Sequence, residues 1–132
     1  MKLIIILFLL MVPIFMNAQL VNYSINKIVI NNNLETDAEF PGGFDSLAAF
    51  ISKNVIYPKR ERKLGVQGTV DVWFEINTDG KIINAKAYGK NINNNFKKEG
   101  LRVVRLMPNW KPATVNGKKV KRCFTIPFLF QL

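Results

Sequence analysis

Catalysis in a small domain usually starts from a histidine set beside a serine, a cysteine or a metal, and this 132-residue chain contains no histidine. The commonest general base and the commonest metal ligand are therefore missing. A single cysteine, Cys123, excludes an internal disulfide, and no Ser/His or Cys/His pair can be assembled. Among the nine acidic residues, Glu35, Asp37 and Glu39 stand close together and the rest are scattered. The residue types point away from an enzyme, and no metal or cofactor site is expected. What remains is recognition. The formal net charge is +10, and Lys118, Lys119, Lys121 and Arg122 gather basic charge near the C-terminus. An exported protein so charged meets anionic lipids, acidic glycans and acidic partner surfaces rather than nucleic acid.

Export is expected from the N-terminus, "MKLIIILFLLMVPIFMNAQ". Lys2 precedes an apolar run, Leu3 to Phe15, of about 13 residues, where a membrane-spanning helix needs roughly 20. Residues 1–18 read as a secretory signal cleaved after Ala18, the alternative being a short N-terminal anchor. Residues 19–39 read as a linker and residues 40–132 as one domain.

Within that domain, "FPGG" (Phe40 to Gly43) is a turn signal. Leu47, Phe50, Ile51 and Val55 then recur at helical spacing, which predicts an amphipathic helix over Phe44–Asn54. Pro58 ends it, and "KRERKLG" follows as a basic turn or short helix. From Gly68 to Asn77 the chain alternates: Val70, Val72, Phe74 and Ile76 face one way, Asp71, Trp73 and Glu75 the other. Asp79-Gly80 is a hairpin turn, and Lys81–Tyr88 returns as a second strand with Ile83, Ala85 and Ala87 on one face. Residues 93–95 can cap a second helix bearing the stripe Phe96, Gly100, Val103 and Met107. Trp110, between Pro108 and Pro112, is expected to plug the seam before the last strand. That strand runs from Lys118 to Gln131 and carries Val120, Phe124, Ile126, Phe128 and Phe130 on a common face. Pro127 has no N–H, so one side of this strand should be unpaired. The pattern predicts an α+β domain, two helices on one face of a small three-stranded antiparallel sheet.

These segments, taken in order, resemble a known family. "FPGG", "YP", "GVQGTVDVWFEINTDGKI", "EGLRVVRLMPNWKPATVNGKKV" and "FTIPFLF" are similar to the C-terminal domain of TonB proteins, in the version with a Phe-Pro-Gly-Gly lead-in, over roughly Phe40 to Leu132. The resemblance implies a periplasmic module that engages outer-membrane receptors by pairing with a short receptor segment, the TonB box, in TonB-dependent transport. It carries peptide contact to Val120, Lys121, Arg122, Cys123, Phe124 and Thr125, and to Ile56, Tyr57 and Pro58. Trp73, Tyr88 and Cys123 should lie on the sheet face away from the helices. The expected partner is a TonB-dependent receptor, with a homodimer through the edge strand as a further possibility. Against contact with inner-membrane motor proteins stand the missing histidine and the absence of a long anchor and Pro-rich spacer. Gly100 stands where the family usually has alanine. A structural or homo-oligomeric envelope protein, or a basic binder of anionic envelope surfaces, remains the alternative function, and an inner-membrane anchor facing the periplasm the alternative location.

Overall fold

A computed structural model describes residues 34–90 and 93–132. The expectations for the export signal and most of the linker lie outside these residues. The centre of the fold is β2, Gly68–Ile76, whose Val70, Val72, Phe74 and Ile76 are fully buried. On one side β2 pairs with β3, Ile82–Tyr88, and on the other with β6, Arg122–Phe130, all antiparallel, in the order β3-β2-β6. The β2–β6 register runs unbroken from Gly68 opposite Phe130 to Ile76 opposite Arg122. Strand β6 therefore lies at the edge of this sheet.

Two helices form as the apolar spacing predicts. Helix α1, Gly43–Asn54, buries Leu47 and Ile51. Helix α3, Asn94–Arg105, buries Phe96, Gly100, Val103 and Val104 against β2 and β3. Asn93 caps α3 by accepting the Asn95 backbone N–H at 2.7 Å, which satisfies one of the orphan donors of the first turn. The basic stretch after Pro58 forms a short helix, α2, Lys59–Lys63. Its buried Glu61 accepts the side-chain amides of Asn93 and Asn95 at 3.0 and 2.7 Å, tying α2 to the start of α3.

Gly100 is where α3 comes closest to the sheet. A Cβ there would lie 2.8 Å from Val72 Cγ2 and 3.3 Å from Val70 Cγ1, both in fully buried side chains of the central strand. Alanine would gain about 1 kcal/mol of helix propensity, but overpacking a filled core typically costs about 1–3 kcal/mol. Gly100→Ala is therefore expected to lower the midpoint of thermal unfolding; a rise would show that the helix can lift off the sheet without loss.

The structure differs from the sequence expectation in the facing of its second strand and in a second sheet that redraws the last strand and the end of the linker. The second strand was expected to turn Ile83, Ala85 and Ala87 to one face. In the structure a register shift between Trp73 and Glu75 sets Ile83 opposite Glu75, while Ile82 stands opposite Ile76. Asn84 takes up the irregularity with φ of 53°, a left-handed conformation that asparagine tolerates better than most residues. Ile82, Ala85 and Ala87 therefore pack against the core. The other difference is a second antiparallel sheet, β1-β4-β5, made of β1 Glu35–Thr36, β4 Ala113–Val115 and β5 Lys118–Val120. Its hairpin turns at Asn116-Gly117, both with positive φ. The last strand does not start at Lys118: Val120 belongs to β5, opposite Ala113, and β6 begins at Arg122 after a break at Lys121. Residues 34–39, read as the end of the linker, are packed into the fold through β1, the Glu39–Lys111 bridge and buried Ala38.

Trp110 plugs the seam as expected. It is buried against Phe40, Phe74 and Phe124, with ring centroids 5.1 to 5.8 Å away. Its backbone N–H donates to the Gly80 carbonyl at 2.8 Å, which locks the chain after α3 onto the β2–β3 turn. Asn77 shapes that turn, its Oδ1 accepting the N–H groups of Asp79 and Lys81, both at 2.9 Å.

Candidate functional site

The feature that can do chemistry with a partner is the outer edge of β6. In an antiparallel ladder, successive residues turn their N–H and C=O alternately toward and away from the neighbouring strand. Pro127 has no N–H, and prolines in sheets sit where that position faces outward. Pro127 therefore belongs to the outward set, and Cys123, Thr125 and Leu129 share its direction. Among the described residues this edge has no ladder partner. The side chains alternate independently: Ile126, Phe128 and Phe130 are buried on the helix face with half-buried Phe124 beside them, while Cys123 and Thr125 are exposed.

The peptide contacts implied by the resemblance do not come together as one site. Arg122 to Thr125 lie on β6 near its N-terminal end, and Val120 and Lys121 just before it. Tyr57 packs edge-on against Phe96 and Phe130, at 5.6 and 5.7 Å, at the opposite end of the same strand. From Thr125 to Phe130 is roughly 17 Å of strand. Tyr57 is buried, its hydroxyl donates to the Val66 carbonyl, and burial followed by the nearby Glu61 carboxylate pushes its pKa up. The Ile56 backbone N–H donates to Glu99 at 2.7 Å, leaving that side chain exposed, and Pro58 is half-buried. This segment has the structure of a fastening: Glu99 also takes Arg102, whose guanidinium donates to the Asn54 carbonyl at 2.6 Å.

Sequence reasoning missed an apolar pocket beside the β6 edge. It has a volume of about 310 Å³ and is lined by Phe40, Phe44, Leu47 and Trp110 on one side and by Phe124 to Ile126 on the other. Phe44 stands at its rim, 49% exposed. The Trp110 indole N–H is buried and has no hydrogen-bond partner among the described residues. The "FPGG" turn was the available signal, since Phe40 and Gly43 from it line the pocket. The partner strand, however, lies some eighty residues away in sequence.

The opposite sheet face, which the helices leave open, carries Trp73, Tyr88 and Cys123 as expected. Lys86 Nζ lies 6.0 Å from the Trp73 ring centroid. Glu75 is on this face, as its parity with Asp71 and Trp73 predicts, and it is buried there: Asn84 donates to it at 2.6 Å and Lys121 pairs with it at 3.2 Å. The Asn84 hydrogen bond, and after it Lys121, hold the Glu75 carboxyl below the usual glutamate range. Glu61 is likewise lowered, first by Asn95. A carboxyl lowered on folding stabilises the fold above the unfolded glutamate value of about 4.3, and that contribution disappears as pH falls through the lowered value. Glu75→Gln is therefore expected to flatten the loss of thermal stability between about pH 5 and pH 2. An acid limb of unchanged slope would mean that Glu75 is not held in its charged form. Arg122 pairs with Glu35 at 3.6 Å, which ties β6 to β1.

Comparison with known proteins follows from this geometry. A family profile described as Gram-negative bacterial TonB protein C-terminal matches residues 53–132. No curated protein matches. Among solved structures, the NMR solution structure of Helicobacter pylori TonB-CTD is similar over 65% of this chain and 89% of that chain, at 24% identity and a TM-score of 0.46. The profile match begins near the end of α1, so the lead-in wall of the pocket precedes it.

Proposed function

The chain belongs to the TonB C-terminal family, and on that premise we propose that it is a periplasmic module that takes the TonB box of an outer-membrane receptor as an added strand on the outer edge of β6. The family is linked to TonB-dependent transport, and its domains interact with outer-membrane receptors rather than catalyse reactions. The observation that carries the proposal is β6 itself. Its nine residues are paired with β2 along one side and have no ladder partner on the other among the described residues. An extended peptide laid there gains main-chain hydrogen bonds at Cys123, Thr125 and Leu129, and side-chain contacts set its specificity. Lys118 and Lys119, exposed on the adjacent hairpin, favour the approach of an acidic receptor segment.

The test is calorimetric titration of the domain, residues 19–132, with synthetic TonB-box peptides, alongside sizing at two protein concentrations. Saturable one-to-one binding by a monomer is the expected result. A dimer that forms with rising concentration and excludes the peptide would instead favour a homo-oligomeric envelope protein. Binding that is lost in salt and indifferent to peptide sequence would favour a basic binder of anionic surfaces.

A further inference from the structure

We propose that the apolar pocket between α1 and β6 is a specificity pocket for the added strand: it takes one bulky apolar side chain, leucine-sized or larger, from a segment that is acidic on the Lys121–Arg122 side of that anchor. The inference rests on strand addition at β6 and names what the edge selects.

The argument starts from strand geometry. A strand added to β6 lies about 4.8 Å from it and sends every second side chain to the helix face. Beside Phe124 and Ile126 that face opens onto the gap between β6 and the first turn of α1. The gap holds about 310 Å³, well beyond the space one water molecule needs. Its walls are mostly apolar, with Glu39 and Thr125 as the polar residues of the lining, so water against the apolar walls finds few of the two to four polar partners it needs. An apolar guest replaces that water and removes its own surface and the pocket's from solvent. Charge sets the direction. Lys118 and Lys119 are exposed on the hairpin beside the N-terminal end of β6, while Lys121 and Arg122 there are paired with Glu75 and Glu35, so the guest's acidic residues belong at that end, facing Lys118 and Lys119.

One wall of the pocket lies outside the matched family region, and the other, Trp110 and Phe124 to Ile126, lies within it. Ala38, Phe40, Gly43, Phe44 and Leu47 all precede residue 53, where the match begins. The lead-in therefore supplies a wall beside an edge that the matched region alone would leave open.

The probe is a phage-displayed library of random ten-residue peptides, selected on the immobilised domain. Enriched peptides are expected to share one Leu, Ile, Phe or Met position with acidic residues on one side. Replacing that anchor with Ala in a synthetic peptide should weaken binding roughly tenfold to a hundredfold. In the Phe44→Ala domain the penalty for anchor truncation should shrink at least threefold, because half-exposed Phe44 is a wall of the pocket and little of the core. In a Trp73→Phe background Trp110 is the sole tryptophan, and its emission should shift with anchored peptides only. Peptides that bind through Thr125 yet show no shared anchor and no coupling to Phe44 overturn the pocket and leave strand addition standing. A library that yields no binder sensitive to Thr125→Pro removes strand addition, and the pocket proposal with it.

Discussion

Gly80→Ala is expected to destabilise the domain by more than about 3 kcal/mol, a large share of the ~5–15 kcal/mol that keeps a domain folded. Gly80 has φ of +81°, and a Cβ built on it lies 1.9 Å from the Trp110 carbonyl oxygen. The left-handed conformation alone costs a residue with a side chain about 1–2 kcal/mol. The remainder comes from the clash, because the obstacle is backbone that cannot rotate aside. Moving it would break the 2.8 Å hydrogen bond from Trp110 N–H to Gly80 and lift the indole out of the Phe40, Phe74 and Phe124 cluster. Gly117 is the natural control. Its φ is +77° with open space where a Cβ would go, so Gly117→Ala should lose only the conformational part. Urea unfolding of both variants decides the matter, and equal losses would mean that Trp110 is not locked on the hairpin turn.

The second large effect is on binding. Thr125→Pro is expected to abolish peptide binding, weakening it at least about a hundredfold, while the domain stays folded. The Thr125 side chain is exposed and its N–H belongs to the outward set. A proline there removes a donor from the free edge without removing one from the β2–β6 ladder. Pro127, two residues on, shows that β6 accepts a proline in this direction. The ring also projects into the space where an added strand would lie. Circular dichroism and thermal unfolding must show a folded variant, with a loss of no more than about 1–2 kcal/mol. A folded Thr125→Pro domain that binds peptide as tightly as its parent would move the site away from this edge.

How much of this was legible in the sequence depends on how local the cause was. The alternation of Val70, Val72, Phe74 and Ile76 specified β2 and its buried face, since period two needs no information from elsewhere. The stripe of Phe96, Gly100 and Val103 did the same for α3. Ile83 was misplaced because a bulge depends on one residue, Asn84, taking a positive φ, and asparagine is common in ordinary turns as well. Val120 was assigned to the last strand because its apolar character continues the alternation through Lys121. Only the pairing of β4 with β5 about Asn116-Gly117 separates it. Glu75 reads as solvent-facing by parity, and it is on that face; Asn84 from β3 and Lys121 from the break before β6 cover it. The pocket was least legible of all. Its walls come from residues 38–47, Trp110 and the middle of β6, and only packing brings them together.

Amide hydrogen exchange of the domain, followed residue by residue by NMR with and without a TonB-box peptide, tests strand addition at β6 most directly. Phe124, Ile126 and Phe128 are already bonded to β2 and should exchange at unchanged rates. New protection should appear at Cys123, Thr125 and Leu129, the alternate residues whose N–H groups face outward. Protection that builds instead on Ile56 and its neighbours, or on the open face around Trp73 and Tyr88, with Cys123, Thr125 and Leu129 unchanged, would contradict it.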